Sequence, residues 1–216
     1  MLRLYGHPFS SYTWKVLIAL WETGTAFDYR SLAEEGVGAE FAAIAPFGKF
    51  PLLVDGDRVV AESSIIIEHL QIHHPGHTAM IPADPAAALE VRLLDRLSDT
   101  YLMNQMQVPV SDRLRDEGSR DPLGVARARE GLGAAYRWWD GHMAGRTWAA
   151  GEAFTLADCA AAPALFYGDW VQPIPDALVT LKAYRARLLA RPSVRRAVDE
   201  ARPFRSFFPL GAPDRD

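Results

Sequence analysis

Glu62 and Ser63 open an Ile-rich run that would create an anion-binding site if it were helical. The β-branched isoleucines at positions 65–67 are compatible with a strand. The run continues, however, to the breaker Pro75-Gly76, and this length favours a helix of about three turns. The first turn of a helix carries backbone N–H groups without partners, and the Ser63 hydroxyl lies among them. We therefore predict a site for a carboxylate at this helix N-terminus.

Two further serines, Ser10 and Ser11, stand at the start of an earlier predicted helix. Alternating apolar and polar residues at positions 2–5 indicate a strand, and Gly6-His7-Pro8 ends it. Either serine is a suitable N-cap for the helix that follows, which should end at Gly24. Positions 27–32 indicate a second strand, so this segment has β-α-β order. Capping alone would explain two serines before a helix; a chemical role depends on the residues near them.

A predicted β-hairpin lies between these two helices. Positions 52–54 and 58–60 are short apolar runs, and Asp55-Gly56 between them tolerates the positive φ angles of a tight turn. The bond before the hairpin, Phe50-Pro51, is a candidate cis peptide, because X-Pro bonds adopt the cis form at low cost. A cis bond there is expected to turn the Phe50 backbone outward.

The order of these elements resembles the glutathione-binding half of the cytosolic glutathione transferases. The resemblance rests on Gly48-Lys49-Phe50-Pro51, the hairpin, and Glu62-Ser63 before the Ile-rich helix, and it extends over residues 1–75 in detail. It implies an α/β + all-α fold, in which a thioredoxin-like N-terminal domain is followed by an all-helical C-terminal domain. It also implies a homodimeric enzyme of detoxification that uses glutathione as a co-substrate.

The resemblance assigns the parts of glutathione to particular residues. Glu62 would bind the α-amino group of the γ-glutamyl end, and the Ser63 hydroxyl with the helix N-terminus would bind its α-carboxylate. The Phe50 backbone, exposed by a cis Pro51, would pair with the cysteinyl backbone as a short strand addition. Lys49 would meet the glycine carboxylate.

Two serines are candidates for the residue whose hydroxyl contacts the glutathione thiol. Residues 10–16, Ser-Ser-Tyr-Thr-Trp-Lys-Val, resemble the Ser-Ser-Cys-Ser-Trp-Arg-Val signature of zeta-class transferases, which implies that Ser10 contacts the thiol. Ser11 is the alternative. Tyr12 and Lys15 depart from the signature, and Lys49-Phe50 stands where zeta enzymes have Gln-Val, so maleylacetoacetate isomerase activity does not follow from it. A hydrogen bond from the serine would suffice to activate the thiol without a general base.

The expected reaction is attack of the glutathione thiolate on a hydrophobic electrophile held between the domains. We expect the electrophile site at His7, Tyr101, Asn104, Gln105 and Trp170. A glutathione-dependent isomerase or dehalogenase would share every glutathione residue and differ only in this second site. A non-catalytic glutathione-binding or partner protein on the same fold is the remaining alternative, and it would leave the thiol pKa near its free value.

Beyond the third helix the sequence contains no strand signal. The proline-rich residues 77–85 are predicted to link a first domain, residues 1–76, to a second, residues 86–216. Helices are expected at 86–115, with a kink at Pro109, and at 122–143, 176–189 and 192–201. Thr155 and Asp158 predict a capping box with Phe154 as its hydrophobic staple, which opens a buried helix. The tail from Arg202 is expected to pack irregularly.

The composition excludes several classes of protein. The chain has 216 residues, of which 49% are hydrophobic, and a net charge of −4, so no nucleic-acid partner is expected. No run of about 18 apolar residues predicts a membrane span, and residues 1–20 lack the pattern of a signal peptide, so the folded domain is expected to begin at residue 1. A single cysteine, Cys159, excludes an intrachain disulfide and fits the cytoplasm.

Four histidines near the end of the third helix are the only pattern that suggests a metal. His69 and His73 have the i, i+4 spacing that can hold zinc, and His74 and His77 follow. They lie at the end of the helix opposite the predicted carboxylate site, so we expect no metal. Cys159 lies in an Ala-rich run and is interpreted as a buried small hydrophobe.

Overall fold

The N-terminal half contains a mixed four-stranded sheet. The computed structural model describes residues 1–216. Strands β1 (Leu2–Gly6), β2 (Asp28–Ser31), β3 (Leu52–Asp55) and β4 (Arg58–Ala61) lie in the order β2-β1-β3-β4. β1 is parallel to β2, with Leu4 opposite Tyr29, and antiparallel to β3, with Leu4 opposite Leu53. β3 and β4 form the predicted hairpin, and Gly56 in its turn has a φ of 60°.

Three helices belong to this half: α1 (Ser11–Thr23), α2 (Val37–Ile44) and α3 (Ser63–His73). α1 ends at Gly24, whose φ of 70° lies in the left-handed region that favours glycine. The run after Glu62 is a helix despite its isoleucines, and β1-α1-β2 is the predicted β-α-β unit.

The C-terminal half is helical apart from a single β-bridge between Trp148 and Gly151. Its helices are α4 (Pro85–Leu97), α5 (Asn104–Arg113), α6 (Pro122–His142), α7 (Leu156–Val171), α8 (Val179–Ala190) and α9 (Pro192–Ala201). The segment 74–84 that joins the halves contains no helix or strand. The fold is thus the expected thioredoxin-like domain followed by an all-helical domain. None of the helices has the length and apolar character that spanning a membrane requires.

The helix predicted at 86–115 is three segments rather than one. A π-helix, Ser98–Met103, separates α4 from α5, and Pro109 lies inside α5. A π-turn holds more residues than an α-turn, so the residues after it face a different direction from the one that continuous α-helical spacing predicts. This matters for the site described below, because π-turns in helices are frequent at functional sites.

α7 joins the two halves of the molecule. Every residue of α7 is buried. Trp14 of α1 packs against Phe166 and Tyr167 of α7, with ring centroids 5.0 and 5.2 Å apart. The Tyr167 hydroxyl also donates a hydrogen bond to the Phe9 carbonyl at 3.0 Å. One apolar core therefore runs through the sheet half and the helical half.

The capping box predicted at the start of α7 is present. The buried Asp158 carboxylate accepts hydrogen bonds from the backbone N–H groups of Thr155 and Ala149, each at 2.9 Å, and from the Tyr184 hydroxyl at 2.6 Å. Phe154, the predicted staple, is buried. Asp158 therefore anchors both the helix start and a residue of α8.

The tail is more regular than the sequence indicates. Arg202–Phe207 forms a 3₁₀-helix directly after α9. Arg205 donates a hydrogen bond to Asp216 at 2.8 Å, and Arg215 donates one to the carbonyl of Asp169 in α7, also at 2.8 Å. These contacts hold the tail against the helical domain, and the expectation of irregular packing was wrong for residues 202–207.

Candidate active site

A cleft between the two halves contains two adjoining cavities. The larger has a volume of about 630 Å³, and the smaller a volume of about 420 Å³. Both are lined by Tyr12, Lys49, Phe50 and Asn104, so the cavities form one continuous site. The walls come mainly from the start of α1, the loop before β3, the start of α3, the π-helix and α5, with further residues from α4, α7 and the C-terminal tail.

The residues predicted to bind glutathione lie together in the smaller cavity: Lys49, Phe50, Pro51, Glu62 and Ser63. The Phe50-Pro51 bond is cis, as predicted. Glu62 precedes α3 with a φ of 68°, a conformation that non-glycine residues rarely adopt and that occurs often at binding sites. Ser63 is the first residue of α3, so it stands beside the N–H groups of the first turn. The residue is only 5% exposed. This end of the cavity suits an anion.

The helical half adds charges that the sequence analysis did not identify. Arg96 of α4 and Asp99 and Thr100 of the π-helix also line the smaller cavity. Glu62 and Asp99 together suit an ammonium group, while Lys49 and the N-terminus of α3 suit carboxylates. The smaller cavity is therefore complementary to a ligand that carries both charges.

A buried ionic cluster fixes this wall of the cavity. Lys15 Nζ of α1 lies 2.5 Å from Asp95 Oδ1 and 2.9 Å from Asp99 Oδ2, and it donates a hydrogen bond to Ser64 Oγ at 2.9 Å. Ser64 in turn donates to Asp95 Oδ2 at 2.7 Å. Burial raises the pKa of Asp99, and Lys15 partly offsets that effect. The cluster ties α1 and α3 to the helical domain and holds Asp99 in place.

Ser10 and Ser11 both line the larger cavity at the N-terminus of α1. Ser10 is the N-cap, and its Oγ accepts a hydrogen bond from Thr13 N at 3.3 Å. A hydroxyl has one donor besides its acceptor sites, so capping leaves the Ser10 O–H free to donate to a ligand. Both serines therefore stand at the wall of the larger cavity, at the N-terminus of α1.

Tyr12 also belongs to the site, although the sequence indicated it only as a departure from the zeta-class signature. It lines both cavities. Burial raises the pKa of Tyr12 to about 12, and the nearby carboxylates of Asp99 and Glu62 add to the shift. The phenol is therefore protonated at neutral pH and is a further hydrogen-bond donor at the junction of the cavities.

His7 lines the larger cavity and contacts the C-terminal tail. Its Nδ1 accepts a hydrogen bond from Phe9 N at 3.1 Å, and its ring centroid lies 4.9 Å from that of Phe204. Burial lowers the pKa of His7, so the ring is neutral at pH 7 and carries its proton on Nε2. This leaves a single donor, Nε2–H, on the His7 ring.

Two of the five residues expected at the electrophile site, His7 and Asn104, line the larger cavity. Tyr101, Gln105 and Trp170 line neither cavity. Tyr101 lies in the π-helix and Gln105 is the second residue of α5, so neither continues the α-helical spacing of α4.

The side chains of Gln105 and Trp170 instead pack against other parts of the helical domain. The Gln105 side chain packs against α6 so closely that a Cβ at Gly131 would lie 3.0 Å from its Oε1. Trp170 is buried behind the cavity wall, with its ring centroid 5.3 Å from that of Phe208.

Half of the residues that line the larger cavity are apolar, and part of the lining comes from the tail. Its apolar residues include Phe9, Met103, Met106, Val110, Phe207 and Phe208. The tail residues could not be assigned from sequence, because they are separated from the rest of the site by most of the chain. Apolar side chains combined with polar groups that can orient a ligand are typical of small-molecule sites.

Two family models match the chain. The model described as "Glutathione S-transferase, N-terminal domain" matches residues 4–78, and the model described as "Glutathione S-transferase, C-terminal domain" matches residues 111–192. The first match contains the predicted glutathione residues, and the second contains the whole of α6, α7 and α8.

The proteins that are similar to the chain include some named glutathione S-transferases and others with different names. Glutathione S-transferase 3 of Zea mays is 30% identical over 209 residues, which cover 91% of this chain and 93% of that protein. A stringent starvation protein A homolog of Coxiella burnetii is 27% identical, with 93% of each chain covered. Among solved structures, a glutathione S-transferase of Methylobacillus flagellatus with GSH bound has a TM-score of 0.81 and 25% identity, covering 91% of this chain and 98% of that one.

Proposed function

Because the chain belongs to the glutathione S-transferase family, we propose that it binds glutathione in the smaller cavity and activates its thiol to attack a hydrophobic electrophile in the larger one. The observation that carries this proposal is the position of the α1 N-terminus. Ser10, Ser11 and Tyr12 line the larger cavity, and Tyr12 also lines the smaller cavity. A thiol held at this junction meets hydroxyl donors on one side and an electrophile on the other.

The charges of the smaller cavity match those of glutathione. The α-carboxylate of the γ-glutamyl group binds Ser63 and the first turn of α3, and its ammonium group binds Glu62, with Asp99 nearby. The backbone of Phe50 pairs with the cysteinyl residue, and Lys49 meets the glycine carboxylate. The cysteinyl sulfur then points towards the start of α1.

The hydrogen bonds available to the sulfur are sufficient to make it a nucleophile. Lowering the thiol pKa by about two units requires about 2.7 kcal/mol of preferential stabilisation of the thiolate. A hydrogen bond to a charged acceptor contributes about 1.5–3 kcal/mol, and a helix N-terminus about 0.3–1 kcal/mol. The Ser10 hydroxyl and the N-terminus of α1 together reach this amount. The thiol proton leaves to solvent, and the thiolate forms a carbon–sulfur bond to the electrophile: it either displaces a leaving group, which departs with the electron pair of its bond, or adds to an activated double bond, which then takes up a proton from solvent.

The decisive experiment is an ultraviolet titration of the glutathione thiolate bound to the wild-type protein, to Ser10→Ala and to Ser11→Ala. We expect a pKa well below that of free glutathione in the wild type, restored towards the free value in Ser10→Ala. Loss of the shift in Ser11→Ala alone would assign the donor role to Ser11. An unshifted pKa in the wild type would contradict thiol activation altogether.

A non-catalytic glutathione-binding or partner protein is the second candidate function. It is favoured by the similarity, over 93% of the chain, to a relative named stringent starvation protein A homolog rather than transferase. The same titration separates the two functions, because a binding protein would take up glutathione without shifting its thiol pKa. An isomerase or dehalogenase would shift the pKa as a transferase does, and analysis of the products with candidate electrophiles would distinguish it.

We further propose that the protein is a homodimer. α3 and α4 present a shared face with exposed apolar side chains, which are 53% (Ile65), 70% (Ile72), 68% (Leu89) and 54% (Leu93) exposed. The helices are joined there by an ion pair in which Arg92 Nη2 lies 2.8 Å from Glu68 Oε2. Several large apolar side chains on one face are typical of a surface that another chain covers. A second copy of this chain is the partner that the family implies.

A further inference from the structure

Away from the candidate active site, three side chains of the sheet domain converge on one point. Asp55 ends β3, His69 lies in α3, and His74 directly follows α3. His69 Nε2 lies 3.0 Å and His74 Nε2 lies 2.7 Å from the same oxygen, Asp55 Oδ2. The potential ligand atoms of the three residues all lie within 4.8 Å of one another.

We propose that Asp55, His69 and His74 bind a divalent transition metal ion of the zinc type. Zinc takes imidazole nitrogen and carboxylate oxygen ligands at about 2.0–2.2 Å with tetrahedral geometry, which separates ligand atoms by about 3.3 Å. The observed nitrogen to oxygen distances need to widen by only about 0.3–0.6 Å to reach that value. Two imidazoles favour zinc and its neighbours over magnesium or calcium, which prefer oxygen ligands alone.

The burial of the three side chains suits an ion that enters from solvent. The His69 side chain is 8% exposed and is held within the packed face of α3, whereas Asp55 is 24% and His74 34% exposed. The site thus has one fixed ligand and two ligands at the surface that can adjust. Water from the open side would supply the fourth ligand that tetrahedral zinc requires.

The neighbouring His73 does not belong to this set, although its spacing from His69 suggested a zinc pair. Its Nε2 lies 3.4 Å from Arg58 Nη1, and the guanidinium charge opposes a cation at that position. His74 is one residue beyond the end of α3, and this turn out of the helix brings its ring to Asp55. His73 is therefore a matched control for His74.

A metal ion here would fasten the end of α3 to β3. α3 has eleven residues and is about 16 Å long, so the metal site and Ser63 lie at opposite ends of the helix. The ion would lie apart from the proposed glutathione site, and its binding does not depend on the proposed reaction of glutathione.

The test titrates the full chain, without a histidine tag and stripped of metal by a chelator, with Zn²⁺ in a calorimeter and with Co²⁺ in a spectrophotometer. We expect one ion per chain, a higher thermal unfolding midpoint with Zn²⁺, and the intense visible bands of tetrahedral Co²⁺. Asp55→Asn and His74→Ala should each weaken Zn²⁺ binding at least tenfold, and His73→Ala should bind like the wild type.

Two results would overturn the site. One is a wild-type chain that binds no Zn²⁺, and the other is an equal loss of affinity in His73→Ala and His74→Ala, which would indicate adventitious binding by surface histidines. Unfolding midpoints measured in chelator show whether a variant has lost its ligand or its fold. His74 is partly exposed, so His74→Ala tests the ligand even if Asp55→Asn proves unstable.

Discussion

At the scale of single residues, the hydroxyl groups that line the site can donate hydrogen bonds to a ligand. Ser10 accepts a hydrogen bond from Thr13 N and keeps its own proton for a ligand. Tyr12, with a pKa raised to about 12 by burial, keeps its proton throughout the physiological range. Ser63 stands at the first turn of α3, where backbone N–H groups need an acceptor. The site therefore offers donors to anionic ligand groups and no strong base.

We predict that Ser63→Ala weakens glutathione binding and leaves the thiol chemistry unchanged. The lost hydrogen bond to a carboxylate corresponds to about 1.5–3 kcal/mol, or about a 10- to 150-fold higher Kd for glutathione. Calorimetric titration measures the affinity, and ultraviolet titration of the bound thiolate should give the wild-type pKa. The exposed Ser119→Ala serves as the control. Wild-type affinity in Ser63→Ala would remove Ser63 from the proposed site.

At the scale of elements, three helix N-termini have different roles. The starts of α1 and α3 face the cavities, so their first turns can meet a ligand. The start of α7 is buried and is satisfied within the chain by Asp158. A buried helix end needs such internal partners, because no water is available to its N–H groups.

We predict that Asp158→Ala destabilises the protein by about 3 kcal/mol, because the Ala149 N–H and the Tyr184 hydroxyl would be buried without an acceptor. The free energy of unfolding in urea measures this effect. Asp176→Ala removes a carboxylate of the same type whose side chain is 98% exposed, so its effect should stay within about 0.5 kcal/mol. Equal stability of the two variants would show that the capping box contributes nothing.

At the scale of the whole molecule, contacts between the two domains create the site. The Lys15 cluster joins α1 and α3 to α4 and the π-helix, and Glu22 joins the other end of α1 to the start of α9. Arg191 donates two hydrogen bonds to Glu22, at 2.7 and 2.6 Å, and Ser193 donates another. α1 is thus held to the helical domain by charged contacts near both ends.

Glu22 should make the docking of the domains sensitive to acid. Burial raises the pKa of the Glu22 carboxyl, but the hydrogen bonds from Arg191 and Ser193 outweigh burial and hold that pKa below its ordinary value of about 4.5. A carboxyl whose pKa is lowered by folding stabilises the protein fully above the unfolded pKa, and this contribution is lost as the pH falls through the folded pKa.

We therefore expect Glu22→Gln to be less stable than the wild type by about 1–3 kcal/mol at pH 7. The difference should narrow as the pH falls below about 4.5. Urea unfolding at several pH values measures the difference, with the exposed Glu35→Gln as the control. A difference that is constant with pH would contradict this role of the Glu22 charge.

The proposed homodimer is tested by placing a charge on the α3–α4 face. Leu89→Glu and Ile72→Glu should convert the wild-type dimer to monomers, since a buried unpaired carboxylate is strongly unfavourable. Light scattering after size exclusion gives the mass of each. Val179→Glu changes a similarly exposed side chain on α8, 67% exposed, and should remain dimeric. A monomeric wild type would refute the dimer itself.

The features that the sequence determined by itself are local. The hairpin at Asp55-Gly56, the cis Phe50-Pro51 bond, the end of α1 at Gly24 and the capping box at Thr155 each depend on a few consecutive residues whose backbone preferences or hydrogen bonds are short-range. The fold class was implied by the resemblance of these elements, in their order, to those of a known family. The five predicted glutathione residues also lie together, because they come from one continuous segment.

Tertiary structure decided what depends on packing between distant segments. Lys15 meets Asp99 across 84 residues, and the tail reaches His7 across most of the chain. A π-helix lies between α4 and α5, and Gln105 beyond it packs against α6; periodicity did not reveal this, because it assumes a constant number of residues per turn. The sequence also did not reveal that Asp55 and His74 lie close together, because their distance depends on how the end of α3 packs on β3. Local preferences specify which elements form, whereas side-chain packing between them specifies which side chains meet.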